Sequence, residues 1–151
     1  MTQKMVKTVL TINNAKVAEC EAINKSAQKY VSKNIAECKK VARELKKADS
    51  AYTKASEAYT KKHDAPNQQT LLNTKAHLES CIAGYNAIVG NINSALATIK
   101  GNFDSVYESM KVVDPDKASH HAIDYDIYSA KIEKTMAAIA KSLSSCKSVE
   151  K

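Results

Sequence analysis

Leu71 to Val113, LLNTKAHLESCIAGYNAIVGNINSALATIKGNFDSVYESMKVV, decides how this chain folds. Leu71, Leu78, Tyr85, Ile92, Ile99, Val106 and Val113 stand at every seventh position, and Ile82, Val89, Leu96, Phe103 and Met110 form a second row four residues on. This is a heptad seam. A helix of that length, roughly 60 Å at ~1.5 Å per residue, is unstable with one wet apolar stripe, so the other segments must be its partners. Three glycines, two prolines and abundant alanine and lysine leave an all-α class, an antiparallel helical bundle in one domain over residues 1–151.

Outward from this stretch, the boundaries are marked by capping chemistry. His63-Asp64-Ala65-Pro66-Asn67 interrupts the periodicity with a capping acid and a proline. Val113-Asp114-Pro115-Asp116 reads as an N-cap, a proline at the first helical position and an acid in the first turn. The helix that follows has its own seam at Tyr125, Ile132, Ile139 and Cys146, with Met136 and Leu143 four places on. Gly84, Gly90 and Gly101 lie inside the central helix, where each costs about 1 kcal/mol relative to alanine, and are read as permitting close helix approach.

The N-terminal part carries Val17, Cys20, Ile23, Ala27, Val31, Ile35, Cys38, Val41, Leu45, Ala48, Tyr52, Ala55 and Tyr59 by threes and fours. One long helix would satisfy this spacing. Against it stands the polar composition of Asn24 to Asn34, together with a capping-box pattern at Asn34 and Glu37. A break near residues 25–33 follows, giving three long helices with the first split into a hairpin, four in all.

Cys20, Cys38, Cys81 and Cys146 all sit on or beside a seam and allow three pairings. With a turn near Asp114, Cys81 lies 33 residues before it and Cys146 lies 32 after it, at matched heights on antiparallel neighbours. Cys20 and Cys38 are 18 residues apart, ~27 Å in a straight helix, and can meet only across the proposed break. Disulfides Cys20–Cys38 and Cys81–Cys146 are therefore expected, contributing about 3 and about 4 kcal/mol by loop entropy. The competing reading is four buried reduced thiols in a cytosolic bundle. Asn24-Lys25-Ser26 is a glycosylation sequon at the proposed turn and fits a secreted chain. The N-terminal residues lack the apolar core of a signal peptide, so secretion implies a leader removed ahead of them.

The net charge of +7 is built from lysine, Arg43 being the only arginine, and the lysines read as scattered along every segment. Nucleic-acid readers lean on the bidentate guanidinium fork, so specific nucleic-acid binding is not expected, while attraction to acidic surfaces is. No apolar run approaches the ~20 residues of a membrane span. His77 with Cys81, and His120-His121 with Asp124 and Asp126, complete no zinc pattern, and no GxGxxG, GxxxxGK[ST] or GxSxG motif occurs. No cofactor, metal or catalysis is expected. Tyr52, Tyr59, Tyr85, Tyr125 and Tyr128 follow the seams and read as core, with an apolar-ligand pocket between helices as the alternative.

Cys20 and Cys38 bracketing Tyr30-Val31 and Ala36-Glu37, Cys81 leading into Gly84-Tyr85-Asn86, and Ser144-Ser145-Cys146 closing the last helix together resemble the TsetseEP-domain family of small secreted insect proteins. The resemblance implies an arthropod gut, haemolymph or salivary protein that acts by binding. Plant invertase and pectin methylesterase inhibitors are similar in being four-helix bundles with two disulfides. The expected function is accordingly that of a secreted helical protein binding a macromolecular partner, most simply a protein, as an inhibitor or host- or immune-interaction factor. The alternatives are a carrier of a small hydrophobic ligand and a cytosolic coiled-coil structural protein.

Overall fold

The structure is a computed structural model that describes residues 3–113, 115–144 and 146, with side chains described for 14–111, 116, 124–144 and 146. Three helices follow one another: α1 (Gln3–Lys61), α2 (Ala65–Val113) and α3 (Pro115–Ser142). No strand occurs among the described residues. The all-helical class expected from the heptads is observed.

The described residues group into two compact units, one drawn from Met1–Lys33 with Ile92–Lys134 and the other from Asn34–Asn91 with Thr135–Lys151. In the first unit Cys20, Asn24 and Val31 of α1 are buried, as are Ile92, Ala95, Ile99 and Val106 of α2 and Ile132 of α3. Asn102 Nδ2 donates to Asn24 Oδ1 at 3.0 Å, and the Phe103 and Tyr125 rings meet with centroids 5.3 Å apart. These two contacts fix which residues of neighbouring helices stand level. In the second unit the buried set is Asn34, Cys38, Ala42, Leu45, Ala48, Ala55, Leu78, Cys81, Ile139, Leu143 and Cys146.

The turn between α1 and α2 forms as its chemistry dictates. Asp64 Oδ1 accepts from the Asn67 N–H at 3.0 Å and the Asp64 carbonyl from the Gln68 N–H at 3.0 Å, so Asp64 is the N-cap of α2. Pro66 falls in the first turn, where a missing N–H leaves no helical bond unmade. Counting from this turn, Leu45 lies 16 residues before Lys61 and Cys81 lies 16 after Ala65, so the two stand at one height, and Ala48 and Leu78 do so one turn nearer the end. All four are buried. The expected N-cap at Asp114 lies outside the described residues.

The break expected near residues 25–33 is absent, and with it the fourth helix: α1 runs unbroken through them. The reason lies in the same heptad count. Val17, Asn24, Val31, Cys38, Leu45, Tyr52 and Tyr59 are spaced by sevens, so Asn24 occupies a seam position that composition alone assigns to a loop. An asparagine there is compatible with a continuous coiled coil when a facing polar group satisfies it, and Asn102 does so. Ile23, assigned to the seam from its spacing, is 43% exposed while Asn24 is 5% exposed.

The glycines also depart from expectation. A Cβ built on Gly84, Gly90 or Gly101 meets nothing within 4 Å, and none has a positive φ, so no close approach depends on them. Gly90→Ala and Gly101→Ala should each stabilise the protein by about 0.5–1 kcal/mol, read as a raised urea midpoint with unchanged slope. A loss of stability from either would show that its hydrogen faces a surface.

A candidate interaction face on the first helix

The residues singled out for chemistry are placed by the fold where little chemistry is available. All four cysteines are buried, and no disulfide joins them. Cys20 and Cys38 lie on one uninterrupted helix, so the ~27 Å of rise that a hairpin was to remove remains, and this bridge cannot form. Cys81 and Cys146 are both buried in the second unit without being bonded to each other, which removes the second expected bridge as well. Burial pushes the Cys38 thiol up, and burial followed by the nearby Glu44 carboxylate does the same for Cys81. A raised thiol stays protonated at neutral pH and is a poor nucleophile and ligand. His77 Nε2 lies 3.8 Å from Cys81 Sγ, and His77 itself is exposed. Among the described residues no three His, Cys, Asp or Glu side chains gather as a metal site. His120 and His121 lie outside the described side chains, and Asp124 and Asp126 are exposed.

The thiol state has a direct readout. Unfolding without reductant in the presence of an alkylating agent should add four labels per chain by intact mass, and native protein should label far more slowly because its sulfurs are buried. Two labels instead of four would restore a disulfide.

The tyrosines are accounted for by packing. Tyr52, Tyr59 and Tyr85 belong to the second unit, Tyr125 and Tyr128 to the first, and all five are half-buried. Tyr59 packs on the His63 ring with centroids 4.6 Å apart, and Tyr125 lies against Phe103 with Lys100 Nζ 5.6 Å from its ring centre. Burial, then the adjacent Cys38 thiol, raises the Tyr85 hydroxyl, and burial raises that of Tyr128. The Tyr128 hydroxyl is buried without a hydrogen-bond partner among the described residues, a cost that packing of its ring must offset. Asn24 is equally committed: its amide is buried and accepts from Asn102, so a glycan on that nitrogen is incompatible with this packing. No described helix is long and apolar enough to cross a membrane.

What the fold assembles is a surface. The lysines are not scattered in effect: α1 carries thirteen Lys and Arg against six Asp and Glu, whereas α2 has three of each and α3 four of each. The whole net charge of +7 is thus the excess on α1. Within the second unit, Lys40, Lys47, Lys54 and Lys61 recur by sevens and Lys39 and Lys46 form a second column beside them, with Arg43 between. All seven are exposed. At 100° per residue these columns span an arc of about 120° on the side opposite the Cys38–Leu45–Tyr52 seam, so they form the outward ridge of the helix. The ridge is flanked by Glu37 and Glu44 on one side and Asp49 on the other, and the exposed Glu57, at the heptad position of Arg43, stands on it between Lys54 and Lys61. Neither ion pair recorded among the described residues, Lys62–Asp64 at 3.5 Å and Lys100–Asp104 at 3.3 Å, uses a ridge cation.

The ridge is hidden in the overall composition because lysines occur in every segment and only subtraction of the acids leaves the excess on α1. The signal was present as the sevenfold recurrence of lysine from Lys33 to Lys61. No family model, no curated protein and no solved structure matches this chain.

Proposed function

We propose that this protein is a non-catalytic helical binding protein that engages an acidic macromolecular partner through the lysine ridge of α1. The observation that carries this reading is that α1 holds the positive excess of the chain and that Lys39, Lys40, Arg43, Lys46, Lys47, Lys54 and Lys61 are all exposed on its side opposite the buried seam. A face built only for solubility would need no such separation, since interspersed charges of both signs serve that purpose, as they do on α2 and α3. Concentrated charge instead raises encounter rates and selects partners of opposite sign. The resemblance to small secreted insect proteins implies the same mode of action.

The test compares two variants of equal charge on a carboxylate-bearing matrix. Reversal of Lys39, Lys40, Lys46 and Lys47 to Glu should abolish retention at moderate salt. Reversal of Lys75, Lys111, Lys134 and Lys141, all exposed on α2 and α3, should leave much of it. Equal loss in both would mean that only net charge matters and that α1 has no face.

A further inference from the structure

We propose that the ridge formed by Lys39, Lys40, Arg43, Lys46, Lys47 and Lys54 binds a sulfated polysaccharide chain, an assignment of partner class that rests on the acidic-partner reading above. Three features of the ridge select this class among anionic partners. First, the ridge is narrow. Glu37 and Glu44 border it on one flank, Asp49 on the other and Glu57 closes it beyond Lys54, so a broad anionic body such as a bilayer or a nucleic-acid duplex would bring its own charge over these carboxylates. A single thin polymer lying along the ridge avoids them.

Second, the cations come in clusters. The doublets Lys39-Lys40 and Lys46-Lys47 are seven residues apart, about 10.5 Å along the axis. Sulfated polysaccharides carry their anionic groups in clusters that recur with the sugar repeat, whereas nucleic acids and polyphosphate carry one on every backbone unit. Third, the side-chain chemistry is that of point charges. Five of the six cations are lysine, which meets an oxyanion as a point charge, and no aromatic residue stands on the ridge to stack a nucleic-acid base.

Magnitudes separate the glycan from an acidic peptide. Exposed ion pairs with discrete carboxylates contribute about 0–1 kcal/mol each, and ordering long side chains consumes part of it. A polymer dense enough to condense counterions releases them on binding, which gives strong, salt-dependent affinity without a pocket.

The experiment measures binding of the full chain to fluorescein-labelled heparin oligosaccharide by fluorescence anisotropy across a salt series. De-sulfated heparin, duplex DNA, polyphosphate, poly-glutamate and phosphatidylserine vesicles serve as competing probes. Heparin should bind tightest and lose most of its affinity on de-sulfation. The variant K39Q/K40Q/K46Q/K47Q should bind heparin about tenfold or more weakly at physiological salt. Its log–log salt slope should shrink by about 3, at roughly 0.7 per lysine as for flexible single strands. The variant K75Q/K111Q/K134Q/K141Q should retain affinity within about twofold. Circular dichroism of both should match the parent, since glutamine is as good a helix former as lysine. Equal or tighter binding of DNA, polyphosphate, poly-glutamate or vesicles through the same lysines would overturn the glycan assignment and leave the acidic-partner reading standing. Equal losses in the two variants, or no binding to any probe, would overturn both.

Discussion

Replacing the exposed Lys29 by proline should destabilise the protein by about 3 kcal/mol or more, read as a drop in the urea midpoint by far-UV circular dichroism. The ring removes the amide that bonds the Lys25 carbonyl and clashes with that same carbonyl, in the middle of a continuous helix. Nothing else is lost, because the Lys29 side chain is exposed and takes part in no recorded hydrogen bond or ion pair. A turn at residues 25–33 would accept the same proline at little cost, since turns favour a fixed φ near −65°. The substitution therefore separates the observed helix from the hairpin that composition suggests.

Leu45→Ala should cost about 2–5 kcal/mol, the second large effect. Leu45 is fully buried at the height of Cys81 in the second unit, and the buried residues one turn before and after it on its own helix, Ala42 and Ala48, are small. Those neighbours cannot extend to fill the space that three lost heavy atoms would leave, so little relaxation is available and the cavity term adds to the lost transfer energy. Leu45→Met, which conserves volume, should cost less than about 1.5 kcal/mol. Equal effects of the two would mean that the Leu45 site is loosely packed. Urea midpoints of both variants, compared with the parent under one condition, decide the matter.

How much of this was legible in the sequence depends on how each burial was achieved. The α2 seam was readable because Leu78, Ile92, Ile99 and Val106 are large, apolar and spaced by sevens, and all four are buried. The second row was read less well. Ile82, Val89, Leu96, Phe103 and Met110 are only half-buried, while the buried companions Cys81 and Ala95 lie three residues after the main row and are small. Asp64 and Pro66 marked the turn because capping and a restricted φ are local properties that need no partner.

The misreadings share one origin. Asn24 and Asn34 are buried polar residues, and the inward placement of Asn24 depends on a partner remote in the sequence: Asn102, which it bonds, is 78 residues away. Polar composition reads as a loop, and the loop both makes room for Cys20–Cys38 and places the sequon at a turn. A single buried amide pair thus reversed three linked expectations. The carboxylates of α2 and α3 hid the ridge in a similar way, since they cancel the lysines of their own helices and leave α1 alone in excess.

The continuity of α1 is the claim on which the separation of Cys20 from Cys38 and the inward placement of Asn24 both depend. Backbone chemical shifts of residues 25–33, from a uniformly labelled sample, test it most directly. Helical Cα and carbonyl shifts at every one of the nine residues are the expected result. Two or more consecutive residues with coil or turn shifts would place a hairpin there and contradict the account.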